Sequence, residues 1–370
     1  MPIQYRNTTA DINLEALRHN VKQALSLLPD HSSLVAVIKA NAYGHGATMV
    51  SRTLRTCGVR SLAVATVEEA ITLREQGIRD DIMVLGGLFN GSYSVFKEYS
   101  LKPVLHSMSD FERLYSEIKD KDGRLSVHLK FDTGMGRLGF LAQDVPAIIK
   151  KIRYFSGMPI ESILTHLALA DGSDLSQTLK QKEAIQSVSQ AFKDLGLPVV
   201  THFANSAALC DKLVDEKQWA RPGIMLYGAY PALRFKETVN LKPVMTFKST
   251  LIDVKHVPKG QGISYGHTFV TERDSLIGVV AVGYADGYSR ALSNKGVVSI
   301  KDQLVPVVGR ICMDLTLVDL TLASNIQIGD DVELWGNTIS VDDVAEKAGT
   351  IAYEMLCGVS ARVPRVYQNV

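Results

Sequence analysis

Lys39 closes an apolar run, residues 34–38, and is followed by a turn-forming stretch, Ala40-Asn41-Ala42-Tyr43-Gly44-His45-Gly46. A lysine ending a buried strand is costly unless its amine does work. Desolvation favours the neutral amine, which attacks carbonyls. The bland alternative is an amine that snorkels to water. Further polar groups stand at other apolar runs. Lys130, Asp132 and Arg137 lie in His128-Leu129-Lys130-Phe131-Asp132-Thr133-Gly134-Met135-Gly136-Arg137, and His166 ends the run 160–166. His202, Asn205 and Ser206 follow the run 198–203, and Arg221, Gly223 and Ile224 open the run 223–227. Alone, each has a dull explanation: a hydrogen-bonded histidine, or an Asn-Ser pair capping a helix. Five such clusters on one rim by chance is a much rarer event.

A rim requires elements that bring it together. The first two-thirds of the chain alternate short strand-like runs (34–39, 61–65, 82–86, 103–106, 125–132, 160–166, 198–203 and 223–227) with helical patterns. Asp11 is placed to cap a helix carrying Leu14, Leu17, Val21, Leu25 and Leu28 on one face. A second amphipathic pattern follows Asp174, with Ile185, Val188 and Phe192 at helical spacing and Gly196 as its stop. Eight strands alternating with helices predict an α/β fold, a closed (β/α)8 barrel, with chemistry at the carboxyl ends of the strands. After about residue 240 the rhythm changes to short β runs (244–254, 275–282, 297–300, 304–308, 315–318 and 331–334), interrupted by helical patches at 341–348 and 353–359. The division expected is a barrel over residues 1–240 and a mostly antiparallel β domain over 241–370.

The chain has 370 residues, 46% hydrophobic and 21% charged, with a formal net charge of +1. That length favours two domains. Without a basic run there is no signal for nucleic acid, and no apolar stretch reaches the roughly 18 residues of a membrane span. The N-terminal stretch lacks the apolar core of a signal peptide, and the four cysteines show no CxxC spacing. Both fit a cytoplasmic protein with reduced thiols.

The segment around Lys39 resembles the cofactor-lysine motif of the alanine racemases, V-x-K-A-N-A-Y-G-H-G. Each rim segment resembles that family too. So do Ile263-Ser264-Tyr265-Gly266-His267-Thr268, Gly283-Tyr284-Ala285-Asp286-Gly287-Tyr288 and Gly309-Arg310-Ile311-Cys312-Met313-Asp314. The closing stretch, from Tyr353-Glu354-Met355-Leu356-Cys357 to Arg362-Val363-Pro364-Arg365, resembles it as well. The resemblance runs in order over nearly the whole chain.

It implies pyridoxal 5'-phosphate (PLP) as cofactor, carried by Lys39 through a Schiff base. Tyr43, Asn205, Ser206 and the amides of Gly223 and Ile224 would bind the cofactor, mostly at its phosphate. There, free amides and a helix start favour an anion. Arg221 would face the pyridine nitrogen and keep it unprotonated, since arginine does not surrender its proton. Arg137 would reach the cofactor phenolate and the substrate carboxylate, and Tyr353 would help enclose the cofactor. His166 would line the ring and orient Arg221. By the same resemblance, Lys39 and Tyr265 would serve as bases on opposite faces of alanine. Tyr265 would come from the neighbouring subunit of a homodimer, with Met313 beside that substrate's carboxylate. Free tyrosine titrates near about 10, so Tyr265 would need a relay through His166 and Arg221. Lys130 has two readings, an ordinary lysine paired to a neighbour or a carbamylated one orienting Arg137.

Two positions depart from the family pattern: Leu315, where a polar residue is common, and Ala352, where proline is common. Tyr284 and Tyr353 read as an entrance gate favouring alanine over larger substrates. The activity implied is interconversion of L-alanine and D-alanine for peptidoglycan. A barrel-type PLP decarboxylase would require a glycine-rich phosphate loop and a glutamate at the pyridine nitrogen. A PLP carrier would lack the second domain. Neither pattern is found.

Overall fold

A computed structural model describes residues 6–118, 124–152 and 158–369. The first strand, β1 (Thr9–Asn13), leads into a helix, Leu14–Ser26, that buries Leu14, Leu17 and Val21. Asn13 caps it, its Oδ1 accepting from the amides of Glu15 and Ala16 at 3.0 Å each. Asp11, expected as the cap, lies within β1, and Leu25 is exposed. The helix is entered two residues later than the polar spacing implied.

Eight parallel strands follow, each short and almost continuously buried. They are β2 (Ser33–Val37), β3 (Ser61–Val64), β4 (Asp81–Val84), β5 (Leu101–Leu105), β6 (Val127–Lys130), β7 (Ile160–Leu164), β8 (Val200–His202) and β9 (Trp219–Ala220). Their order is β8-β7-β6-β5-β4-β3-β2-β9, a nearly closed barrel. At the rim, Arg221 N–H donates to Ala204 O at 2.8 Å and ties β9 to β8. The eighth strand is therefore not the 223–227 run. Pro222 has no N–H for a ladder, and Ile224–Tyr227 is a buried 3-10 turn ended by Gly228 at φ 85°. Its apolar run reads as a strand because it is buried, and period alone does not separate the two.

The second sheet is built from β10 (Met245–Val257), β13 (Ser275–Val280), β14 (Val297–Ile300), β15 (Gln303–Pro306), β16 (Thr316–Asp319), β17 (Asp331–Trp335) and β18 (Arg365–Gln368). The small ribbon β11 (Gly262–Ile263) and β12 (Phe269–Val270) stands apart from it. The sheet is antiparallel except where β1 pairs parallel with β18. Thus β1, expected in the barrel unit, joins the second sheet between β10 and β18. The chain enters the barrel from the β domain and returns to it. Helices Val341–Ala348 and Ala352–Gly358 then bring residues of the second part back to the barrel rim.

Candidate active site at the carboxyl rim of the barrel

A cavity of about 300 Å³ opens at the carboxyl ends of the barrel strands. Lys39, Tyr43, Lys130, Arg137, His166, Asn205, Ser206, Arg221, Gly223, Ile224 and Tyr353 all line it. Four of its lining residues are Lys or Arg, and none is Asp or Glu. A cavity so lined favours an anionic ligand.

The Lys39 segment has an unusual backbone. Ala40, Asn41, Ala42 and Tyr43 have φ of 51°, 53°, 54° and 52°, a turn of left-handed helix. Each such residue costs about 1–2 kcal/mol in L-amino acids, so the turn must be held from outside. Ala40 N–H donates to Glu69 Oε1 at 2.6 Å, and Ala47 N–H to Asn41 Oδ1 at 2.8 Å. Buried His45 donates from Nδ1 toward the carbonyls of Ala42 and Tyr43, at 2.9 and 2.8 Å. Burial lowers its pKa to about 4, so the ring is neutral. Tyr227 stacks on His45 at 4.7 Å and lies 4.8 Å from Tyr43. Burial ends at Ile38, and Lys39 itself is exposed to the cavity mouth rather than desolvated by its strand.

Glu69 escaped the sequence reading. Its signal was there, the capping box Thr66-Val67-Glu68-Glu69 at the start of Val67–Glu75. The second carboxylate oxygen accepts from Ala65 N–H at 2.7 Å, so one side chain ties the β3 end to the Lys39 turn.

At the opposite wall, Arg221 is buried, and burial lowers its pKa to about 10. Nη1 donates to His202 O at 2.7 Å and lies 2.8 Å from His202 Nδ1; Nη2 donates to Thr165 O at 2.5 Å. These bonds leave the Nε edge of the guanidinium unclaimed by them. His202 and the Thr165 carbonyl hold Arg221, the task expected of His166. His166 lines the cavity, with its pKa lowered to about 3 by burial, Arg221 and Arg137. The Arg137 loop is shaped by Asp132, whose carboxylate accepts from the amides of Gly134, Met135, Gly136 and Arg137 at 2.9–3.1 Å. Desolvation alone would raise Asp132, but those amides outweigh it and hold its pKa low. Lys130 is buried at the end of β6, and burial, Arg137 and Arg221 lower it to about 8.

The third wall is the Ser206 helix start and Gly223. Asn205 caps the helix by accepting from Ala208 N–H at 3.1 Å, so its side chain is engaged as the bland reading had it. Gly223 N–H donates to Ser206 Oγ at 3.0 Å. A Cβ on Gly223 would come within 2.4 Å of Tyr43 Oη. Burial raises the Tyr43 pKa well above its ordinary value, so its hydroxyl remains a donor. Tyr353, 5.9 Å from Tyr43, is pushed up to about 12 by burial.

Tyr265, Tyr284 and Met313 do not line this cavity. They are 69%, 42% and 53% exposed. Ser264 Oγ–H donates to Arg310 O at 2.6 Å and Tyr284 N–H to Cys312 O at 3.0 Å, which joins their turns into one patch on the β domain. Leu315 sits beside it, its carbonyl accepting from Cys312 N–H at 2.9 Å. Ala352 is the first residue of its helix, where proline and a good helix former serve equally.

The family model described as "Alanine racemase, N-terminal domain" matches residues 12–231, and that of the C-terminal domain matches 244–367. The chain belongs to the alanine racemase family. Membership makes it a racemase, an isomerase. An alanine racemase of Halothermothrix orenii is 40% identical, over 98% of this chain and 97% of its own. That of Methanococcus maripaludis is 41% identical over 97% and 98%. Among solved structures, an alanine racemase of Clostridium difficile 630 superposes with a TM-score of 0.93 at 36% identity, covering 99% of this chain and 96% of its own. Among the racemase's described residues, no cluster of His, Cys, Asp and Glu is arranged to hold a metal ion, and no helix is long and apolar enough to cross a membrane.

Proposed function

We propose that the chain interconverts L-alanine and D-alanine with PLP, using one base on each face of the substrate. The observation that carries this reading is the cationic cavity at Lys39, free of carboxylates, with Arg221 on one wall. The donor set fits the cofactor. Lys39 offers an exposed amine, and Tyr43, Ser206 and the Gly223 turn form a cradle a Cβ would fill. PLP, when bound, supplies the electron sink that acidifies the substrate's α-hydrogen.

Lys39 Nζ takes or returns the α-proton on one face. Arg137 holds the substrate carboxylate. Arg221, a permanent donor, would leave the pyridine nitrogen of bound PLP unprotonated and so would moderate the sink. Tyr265 handles the proton on the other face, and the neutral His166 ring beside Arg221 can accept a hydrogen bond from it. Because Tyr265 and Met313 are exposed away from their own chain's cavity, we infer a homodimer in which each patch completes the other copy's site. Tyr284 and Tyr353 then narrow the entrance. The lowered pKa of Lys130 supports a carbamate there, since a neutral amine adds carbon dioxide. The cellular role we assign is cytoplasmic supply of D-alanine for peptidoglycan.

The test is α-proton exchange of alanine in deuterated buffer, with and without PLP, while chirality is followed. PLP-dependent exchange with loss of optical activity is expected, and carbon dioxide release would refute it. A heterodimer of Tyr265→Phe and Lys39→Ala should recover one working site of two. No recovery would sink the shared-site reading.

A further inference from the structure

The bonds that hold Arg221 do not stop at His202. His202 Nε2 lies 2.7 Å from Ser162 Oγ, and Ser162 Oγ lies 2.7 Å from His128 Nδ1. Ser162 and His202 have no exposed surface, and His128 has 1%. The parallel register explains the alignment: His128 of β6 is paired with Ser162 of β7, and Ser162 with Val200 of β8. His202, two residues beyond Val200, therefore shares a face with it. The three side chains descend through the barrel from the rim that carries Arg221. Beyond them a second cavity, about 350 Å³, is lined by Lys102, His128, Glu161, Asp81 and Trp219. There His128 Nε2 faces Glu161 Oε2 at 3.5 Å, too long for a good hydrogen bond. Glu161 is held by Lys102 at 2.7 Å, and Lys102 by Asp81 at 3.1 Å.

The direction of this chain is determined. Arginine can only donate, so His202 Nδ1 must accept. Burial and Arg221 keep His202 neutral, so its single ring proton is on Nε2 and is given to Ser162. The Ser162 hydroxyl then gives its own proton to His128 Nδ1. His128, neutral for the same reason of burial, carries its proton on Nε2, toward Glu161. If His202 took the other tautomer, two N–H groups would meet at 2.8 Å and Arg221 would be pushed off its seat.

We propose that Ser162 and His128 are positioning residues for the reaction: through a one-way hydrogen-bond chain across the barrel they take the Nε2 proton of His202, hold its ring in the tautomer that Arg221 requires, and thereby seat the guanidinium of Arg221. This rests on the reading that Arg221 meets the cofactor's pyridine nitrogen. Neither residue touches the rim cavity, so their effect is on how Arg221 is presented and not on substrate binding.

The test uses the full-length protein labelled with ¹⁵N-histidine. In the wild type, His202 should show Nε2 protonated and Nδ1 bare, with or without bound PLP. A bare Nε2, or a doubly protonated ring, overturns the proposal outright. In Ser162→Ala, the His202 signals should change, the absorption band of bound PLP should shift, and kcat should fall about tenfold with KM for alanine nearly unchanged. Ser162→Thr, which keeps the hydroxyl, should restore all three. If Ser162→Ala does not fold, His128→Leu carries the same expectation, and His128→Asn, with an oxygen near the Nδ1 position, the rescue. A lower melting temperature with unmoved kcat and PLP spectrum would make the chain core packing only, and overturn the proposal. Absence of PLP binding by the wild type would refute the functional reading instead, leaving the tautomer to be read on its own.

Discussion

Replacing Gly223 by alanine should loosen the cofactor while leaving the fold intact. Gly223 has φ −124° and ψ −85°, so it does not use the left-handed conformation that glycine alone adopts freely. The obstacle is Tyr43, whose Oη would lie 2.4 Å from the new Cβ and whose Cζ would lie 3.0 Å away. Ordinary contact begins near 3.4 Å, so Tyr43 must retreat by about 1 Å. Its ring is buried between Tyr227 and Tyr353, at 4.8 and 5.9 Å, so the retreat moves the cradle and not a loose side chain. A misplacement of about 1 Å can cost about 100-fold in a positioned reaction. We expect PLP affinity and kcat/KM of Gly223→Ala to fall by about that factor, measured by absorbance titration and by racemisation rate. Tyr43→Phe alone should cost about fivefold, the loss of one hydrogen bond. The double variant should be better than the product of the two, because removing Oη relieves the worse contact. Gly358→Ala is the control, since no atom lies within 4 Å of its added Cβ. Wild-type affinity and rate in Gly223→Ala, or strictly additive losses in the double variant, would refute the reasoning.

Asp286, fully buried, accepts from Arg6 Nη1 and Nη2 at 3.0 and 2.6 Å and from Arg362 Nε at 2.7 Å, and Arg362 reaches on to Asp314 at 2.8 Å. Asp286→Ala should destabilise the fold by about 2–3 kcal/mol in urea titration, the scale of lost charge-assisted hydrogen bonds, because the side chains of Arg6 and Arg362 are 35% and 41% exposed and water can take over their charges. Stability should also decline with acid. Unfolded histidine binds a proton near pH 6.5, whereas His45 does so near 4 and His128 near 3 in the fold. Between those values the unfolded chain holds the extra protons, so stability is intact above pH 6.5 and lost as pH falls. At pH 5 the loss should be about 2 kcal/mol per histidine; an unchanged urea midpoint between pH 7 and 5 would contradict it. Tyr353→Asn should raise serine racemisation relative to alanine by about tenfold, the scale on which a pocket senses one small group. An unchanged ratio would remove Tyr353 from the gate.

Apolar runs separated by helical spacing were enough to locate seven of the barrel strands, because parallel strands are buried on both faces and leave that trace. The eighth was misread since Ile224–Tyr227 is equally buried but lies in a 3-10 turn behind Pro222. The short terminal strands β1 and β18 left no such trace. They pair with each other, and β1 pairs on its other side with β10, contacts far apart in sequence. At the site, residue types and order along the rim were legible, while partner choice was not. Nothing local to His166 or His202 says which of them holds Arg221; the register of β7 and β8 decides that. Tyr265 lies in a recognisable segment, and the structure leaves it 69% exposed and off the lining of its own chain's cavity.

The left-handed turn after Lys39 shows how the fold supports a conformation the local sequence disfavours. Four residues at about 1–2 kcal/mol each amount to a cost comparable with the whole stability of a domain. Such a turn persists only if its surroundings over-determine it. They do so from three directions: Glu69 of the helix that follows β3, the buried rings of His45 and Tyr227, and Arg365 of β18, whose Nε–H donates to Gly44 O at 2.9 Å. A Cβ at Gly44 would meet Leu356 O at 2.3 Å, so the helix of the second domain packs directly on the turn. The turn therefore depends on both sheets being in place. A right-handed continuation would send the chain after Lys39 in another direction and take Tyr43 away from Gly223. The strain at residues 40–43 and the return of β1 and β18 to the barrel are thus parts of one arrangement, in which the second domain holds the Tyr43 wall of the rim cavity.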